Sequence, residues 1–133
     1  MKVIDSSALI KYIAKEGWEE VEKHLIEGCV TLDLALKETA NALVEKMLRK
    51  EADLNTAKKI MLHMPKIVKL TSQTQHFQKA LETAIKHKLT IYDALFIALA
   101  MSINAPLLTS DRAQAEISKK HGVITILVLN VAL

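Results

Sequence analysis

The chain has 133 residues, half of them hydrophobic, with 3 Gly, 2 Pro and aromatics at 4%. This is the composition of one helix-rich globular domain, residues 1–133, with an aliphatic core, and it excludes disordered, fibrous and disulfide-framed chains. A formal charge of +3 permits a polyanionic partner without requiring one, and the single cysteine, Cys29, reads as an inert buried thiol in a reducing cytoplasm.

The opening stretch "MKVID" places an acid where a secretion signal needs an apolar run. Residues 2–5 read as a short buried strand. Ser6 and Ser7 then cap a helix through "ALIKYIAK", and a second helix over "WEEVEKHLIE" stops at Gly28. "CVTL" at 29–32 is a second strand, and Asp33 caps a helix running to about Lys50. Its apolar stripe is Leu36, Ala40, Leu43, Val44 and Met47. "LNTAKKIMLHM" is a helix closed by Pro65, and "KIVKL" at 66–70 a short strand. A helix over 73–88 precedes a buried one after Thr90. That buried run is broken by Ser102, Asn104 and Pro106 before it reaches the roughly 20 residues a bilayer span takes, so no membrane anchor is expected. "PLLTS" is a strand, "DRAQAEISKKH" a helix stopped by Gly122, and "VITILVL" a last strand.

Strands alternating with helices predict an α/β layered fold with a mostly parallel sheet, whose ligand site lies beyond the carboxyl ends of the strands. Asp5 and Asp111 both close strands and so face that edge. Together with Glu38 and Asp93 they are the four carboxylates that stand out. Several ionised carboxylates in one cleft repel one another unless a cation offsets them, and an all-oxygen donor set suits Mg²⁺ or Mn²⁺. Each acid also has a plainer reading. Asp93 stands three residues after Thr90, the spacing of a capping box; Asp111 can cap the helix it opens; Glu38 shares a polar face with Asn41 and Glu45. Asp5 is harder to assign as a cap, since Ser6 and Ser7 already serve. The five histidines, His24, His63, His76, His87 and His121, lie in Lys-rich helical surroundings and are expected at the surface.

In order along the chain, "VIDSSALIKY", "LKETANAL", "TIYDALFIALA" and "LLTSD" resemble the PIN-domain family, close to its VapC-type toxins. The resemblance covers nearly the whole chain and implies a three-layer α/β/α sandwich. It also implies a Mg²⁺- or Mn²⁺-dependent ribonuclease with Asp5, Glu38, Asp93 and Asp111 as metal-binding and catalytic acids. Within the family pattern, Ser6 and Ser110 support the site, and Asn41, one turn after Glu38, orients its carboxylate. A metal-activated water would attack the phosphodiester, leaving a 5′-phosphate and a 3′-hydroxyl. The family also implies a small antitoxin partner, seated in a groove offered by the helices within 6–27 and 53–64, and a homodimer. Lys11, Lys37 and Arg112, close in sequence to three of the acids, are the candidates for RNA phosphate contacts. No aromatic stacking platform is evident. A PIN fold that binds without cleaving is the alternative, and the intact acids speak against it. A receiver-like phosphotransfer domain would need a lysine closing a later strand, which neither "KIVKL" nor "VITILVL" supplies.

Overall fold

The structure, a computed structural model, describes residues 1–15 and 18–129. A parallel sheet of five strands forms its centre: β1 (Lys2–Ile4), β2 (Cys29–Leu32), β3 (Lys69–Thr71), β4 (Leu107–Thr109) and β5 (Thr125–Leu127), in the order β3-β2-β1-β4-β5. Seven helices stand among the described residues: α1 (Ser6–Ala14), α2 (Trp18–Glu27), α3 (Leu34–Leu48), α4 (Leu54–Ile67), α5 (Phe77–His87), α6 (Ile91–Ser102) and α7 (Arg112–Lys120). With the right-handed crossovers that parallel strands take, this strand order sets α1 to α4 on one face and α5 to α7 on the other, the α/β/α layering that the resemblance implies.

The order has one reversal. From β1 the chain moves outward through β2 to β3, then returns to β4 on the other side of β1 and continues to β5. The crossovers on either side of β1 and β4 therefore leave on opposite faces and open a crevice between the strand ends, where α/β sheets place their ligands. Val3 and Ile4 pair with Leu107 and Leu108, and the amide of Asp5 donates to the Leu108 carbonyl at 3.1 Å.

The core is aliphatic, as the composition requires. α6 is buried without interruption from Ala94 to Ala100, because it lies against β1, β2 and β4 with α5 packed behind it. Each large side chain there, such as Leu95 or Leu99, contributes roughly 1.5–3 kcal/mol when withdrawn from water. No helix among the described residues is long and apolar enough to cross a membrane.

Several expected boundaries move. Pro65 lies inside α4, which runs to Ile67: the missing amide removes one backbone bond, but buried Met64 anchors the last turn and its carbonyl accepts from the Val68 amide at 3.2 Å. β3 accordingly begins at Lys69, not Lys66. The helix expected over 73–88 opens as a 3₁₀ turn at Thr74–His76 before α5. The buried face of α3 is Leu34, Ala35, Thr39 and Leu43; Val44 points outward, so the stripe is rotated from the expected one. His76 is 5% exposed rather than at the surface, and His87 packs edge-to-face on His121 with ring centroids 4.5 Å apart. The stops at Gly28 and Gly122 stand, with φ of +110° and +76° in the left-handed region that favours glycine.

Candidate active site

The capping chemistry at the strand ends is where the acids are set. Asp5, not Ser6 or Ser7, caps α1: its Oδ1 accepts from the Ala8 amide at 3.1 Å, and both serines fall inside the first turn. Asp5 is 4% exposed and firmly held. Oδ1 also accepts from the Ser7 hydroxyl at 2.6 Å, and Oδ2 accepts from the Thr109 hydroxyl at 2.5 Å. Thr109, the fully buried last residue of β4, accepts in turn from the Asp111 amide at 3.1 Å. One hydroxyl thus ties the acid after β1 to the acid after β4.

Asp111 caps α7 through its Oδ1, which accepts from the Gln114 amide at 3.1 Å. Thr90 caps α6 by accepting from the Asp93 amide at 3.3 Å, but the Asp93 carboxylate makes no return bond to the Thr90 amide. The capping box is half formed, and the acid is left facing elsewhere. Glu38, one turn into α3, is half-buried, and its Oε1 accepts from the Ser6 hydroxyl at 2.6 Å.

All four acids line one cavity of about 200 Å³, walled by Ile10 and Phe96. Burial pushes the Asp5 carboxyl up to about 6 against the pull of its Ser7, Thr109 and Ala8 hydrogen bonds, and the Asp93 charge adds to the rise. Asp93 is also raised, first by burial and then by the charges of Asp111 and Glu38; the Thr90 hydroxyl opposes this. Asp93 thus feels the charges of Asp111 and Glu38, and Asp5 feels that of Asp93. Among the described residues no three His, Cys, Asp or Glu side chains are gathered closely enough to hold an ion by protein atoms alone. The donors are all oxygens, and Mg²⁺ takes one or two carboxylates while retaining several waters. The residues fit a partly hydrated Mg²⁺ or Mn²⁺.

The supporting residues expected from sequence are distributed differently. Ser6 does meet an acid, Glu38. The Ser110 hydroxyl instead donates to the Val128 carbonyl at 2.5 Å, while its amide donates to Ser7 Oγ at 2.9 Å. Asn41 is exposed, and the bond that orients Glu38 comes from Ser6. Lys37 and Arg112 are exposed and Lys11 half-buried; none lines the acid cavity or joins an ion pair among the described residues. Ser7, which the sequence offers only as a cap, and Thr109, which it does not single out, are the residues that hold Asp5. A threonine closing an apolar strand two residues before an acid is the one local signal that points to Thr109.

A second cavity of about 370 Å³ opens between α1, the start of α2 and α4, lined by Tyr12, Trp18, Ile60 and Met64 with Lys15 and Lys59 among its other residues. These are the helices expected to offer a groove.

The PIN domain family model matches residues 2–120. The chain is 34% identical over 120 residues to Ribonuclease VapC3 of Pyrobaculum aerophilum, spanning 86% of this chain and 92% of that protein. The crystal structure of PAE2754 from Pyrobaculum aerophilum superposes with a TM-score of 0.75 at 27% identity, over 93% of this chain and 82% of the other. A toxin–antitoxin complex from Klebsiella pneumoniae shares the fold, with a TM-score of 0.63 at 14% identity over 84% and 87% of the two chains. With four acids lining one cavity at the switch point of a parallel sheet and a match over almost its entire length, this chain belongs to the PIN-domain family.

Proposed function

We propose that this protein is a Mg²⁺- or Mn²⁺-dependent endoribonuclease of the VapC type, the toxin of a toxin–antitoxin pair, acting on RNA in the cytoplasm. The observation that carries this reading is the one cavity lined by Asp5, Glu38, Asp93 and Asp111, in which Asp93 feels the charges of Asp111 and Glu38 and Asp5 feels that of Asp93. The relative named as a ribonuclease, aligned over most of both chains, supports the substrate class.

When bound, the divalent ion supplies an acidified water and positive charge against the charge that develops at phosphorus. The chain's own part is to hold the acids. Ser7 and the Ala8 amide occupy Oδ1 of Asp5, and Thr109 takes one lone pair of Oδ2, so Oδ2 is the oxygen with accepting capacity left for an ion. Ser6 fixes Glu38, and the α6 cap is made with the Asp93 amide rather than its carboxylate. Ile10 and Phe96 give the cavity an apolar wall that strengthens every charge interaction within it. Asp111 is engaged through one oxygen by its cap, so the other serves the ion or the attacking water. Lys37 and Arg112, exposed beside two of the acids, are the nearest candidates in sequence for RNA phosphates, with Lys11 beyond them.

The test is cleavage of single-stranded RNA in Mn²⁺, its loss in EDTA, and recovery on adding metal back. Products should carry 5′-phosphates. No cleavage in Mn²⁺ by folded protein, or equal cleavage by wild type and Asp5→Asn, ends the nuclease reading and favours a PIN-fold binding module.

The groove between α1 and α4 is the proposed seat of the antitoxin, an apolar segment whose acidic flanks meet Lys15 and Lys59. A homodimer accompanies this reading. Trp18, the sole tryptophan, stacks under Lys15 at 4.8 Å and reports on both partners of the groove. Adding the inhibitor protein should shift Trp18 emission, and light scattering should give the mass of a dimer before addition and of a larger complex after it. Inhibition with no change at Trp18 would place the partner elsewhere; a monomer mass would remove the dimer.

A further inference from the structure

Gln114 sits in the first turn of α7 with its side chain 2% exposed. Glutamine is seldom buried so fully, because each polar atom must find a partner. Here only part of that need is met. Nε2 donates to the backbone carbonyl of Asp93 at 2.7 Å, while Oε1 is buried without a partner. An apolar side chain of the same size would fill the space without stranding an oxygen, so packing alone does not account for the residue.

Its position is distinctive. The Gln114 amide is the donor that Asp111 caps, and the Gln114 side chain grips the turn that bears Asp93. One residue therefore joins the starts of α6 and α7, where Asp93 and Asp111 line the same cavity. Those acids carry like charge, and among the described residues no other hydrogen bond joins the two helix starts.

We propose that Gln114 is a positioning residue for the acid pair: its Nε2 bridge to Asp93 sets the separation of Asp93 and Asp111 before a divalent ion arrives. The inference rests on the metal-dependent reading of the cavity. Without the bridge, repulsion spreads the two helix starts, and an ion must draw them back as it binds. The bond's net contribution then appears as weaker ion binding, by about threefold to tenfold. Gln114 does not face solvent, so contact with RNA should be unaffected.

Gln114→Met keeps the length and bulk of the side chain and removes both polar atoms. The measurement is Mn²⁺ affinity of the RNA-free protein by calorimetry, alongside the thermal midpoint in EDTA and cleavage as a function of Mn²⁺. The expected result is a Kd for Mn²⁺ about threefold to tenfold weaker, with the thermal midpoint in EDTA held or raised. Cleavage should fall at limiting Mn²⁺ and recover at saturation, with KM for RNA unchanged. Equal Mn²⁺ affinity in the two proteins overturns the proposal. Should Gln114→Met fail to fold, the wild-type side-chain amide decides by nuclear magnetic resonance. It should shift on Mg²⁺ titration with the same midpoint as the Asp93 backbone, and an amide that stays still overturns the proposal. A wild type that shows the bridge effect on Mn²⁺ binding yet cuts no RNA keeps the positioning role and removes the ribonuclease reading. Intact cleavage with equal affinities does the reverse.

Discussion

Asp5→Asn is expected to lower RNA cleavage by roughly three orders of magnitude and, at neutral pH in EDTA, to leave the protein more stable than wild type. The first effect follows from the loss of a fixed anionic donor, since under the proposed mechanism several kcal/mol of charge stabilisation in the reaction depend on the ion it would hold. The second follows from the sign of the Asp5 shift. Its carboxyl is raised from 3.8 to about 6 by burial. Below pH 3.8 it is protonated in both folded and unfolded chains and costs nothing. As pH rises towards 6 the unfolded chain ionises first, the folded state holds more protons, and stability falls. Above 6 the whole penalty stands, of order 3 kcal/mol. Asparagine keeps the cap to Ala8 and the bond from Ser7 while carrying no charge to bury; the Thr109 hydroxyl must turn to accept instead of donate, which reduces the gain. Thermal denaturation in EDTA from pH 4 to 7 should show the variant drawing ahead across this interval. Saturating Mn²⁺ should reverse the order by stabilising wild type alone. A stability difference that does not change with pH would mean Asp5 is not a buried, strained carboxylate, and a fully active variant would remove it from the chemistry.

This tension at Asp5 was only partly legible along the chain. The short apolar runs at β1 and β2, the uninterrupted apolar segment that becomes α6, and the glycine stops all carry local signals strong enough to be read directly. The placement of Asp5 and Asp111 at one sheet edge follows from strand-end logic alone. What failed were features decided by distant contacts. Ser6 and Ser7 look like caps because they have the right chemistry, yet Asp5 takes that role and the serines turn to Glu38 and to Asp5. The Thr109 hydroxyl lies 104 residues from Asp5, and no local pattern announces the bond. Pro65 is a stop by local rules and is overridden by the burial of Met64. α3 turns its Ala35, Thr39 and Leu43 face inward because that rotation packs it on α1 and β2, and the same rotation brings Glu38 from an apparently solvated face into the cavity. Gln114 reads as an ordinary polar residue of an amphipathic helix until the start of α6 is packed against it.

Asp93→Asn separates two roles that its spacing from Thr90 makes hard to tell apart. The variant is expected to lose cleavage by roughly two to three orders of magnitude, while its stability changes by less than about 1 kcal/mol, the typical size of a helix cap. The reason is geometric. The α6 cap is made by the Thr90 hydroxyl and the Asp93 amide, so the cap survives any change to the Asp93 side chain. The carboxylate itself is disfavoured where it stands, by burial and by the charges of Asp111 and Glu38, and its pKa is raised. Its ionisation therefore detracts from stability once pH passes the unfolded value, and asparagine should be neutral or slightly stabilising at pH 7 without metal. Thr90→Val is the converse substitution: it removes the cap oxygen, is expected to lose about 1 kcal/mol, and leaves the acid in place with most of the cleavage. Side-by-side thermal melts and Mn²⁺-supported RNA cleavage of the two variants decide the matter. A folded Asp93→Asn protein with full activity would return Asp93 to a capping role. An inactive Asp93→Asn that melts far below Thr90→Val would mean its carboxylate holds the fold rather than an ion.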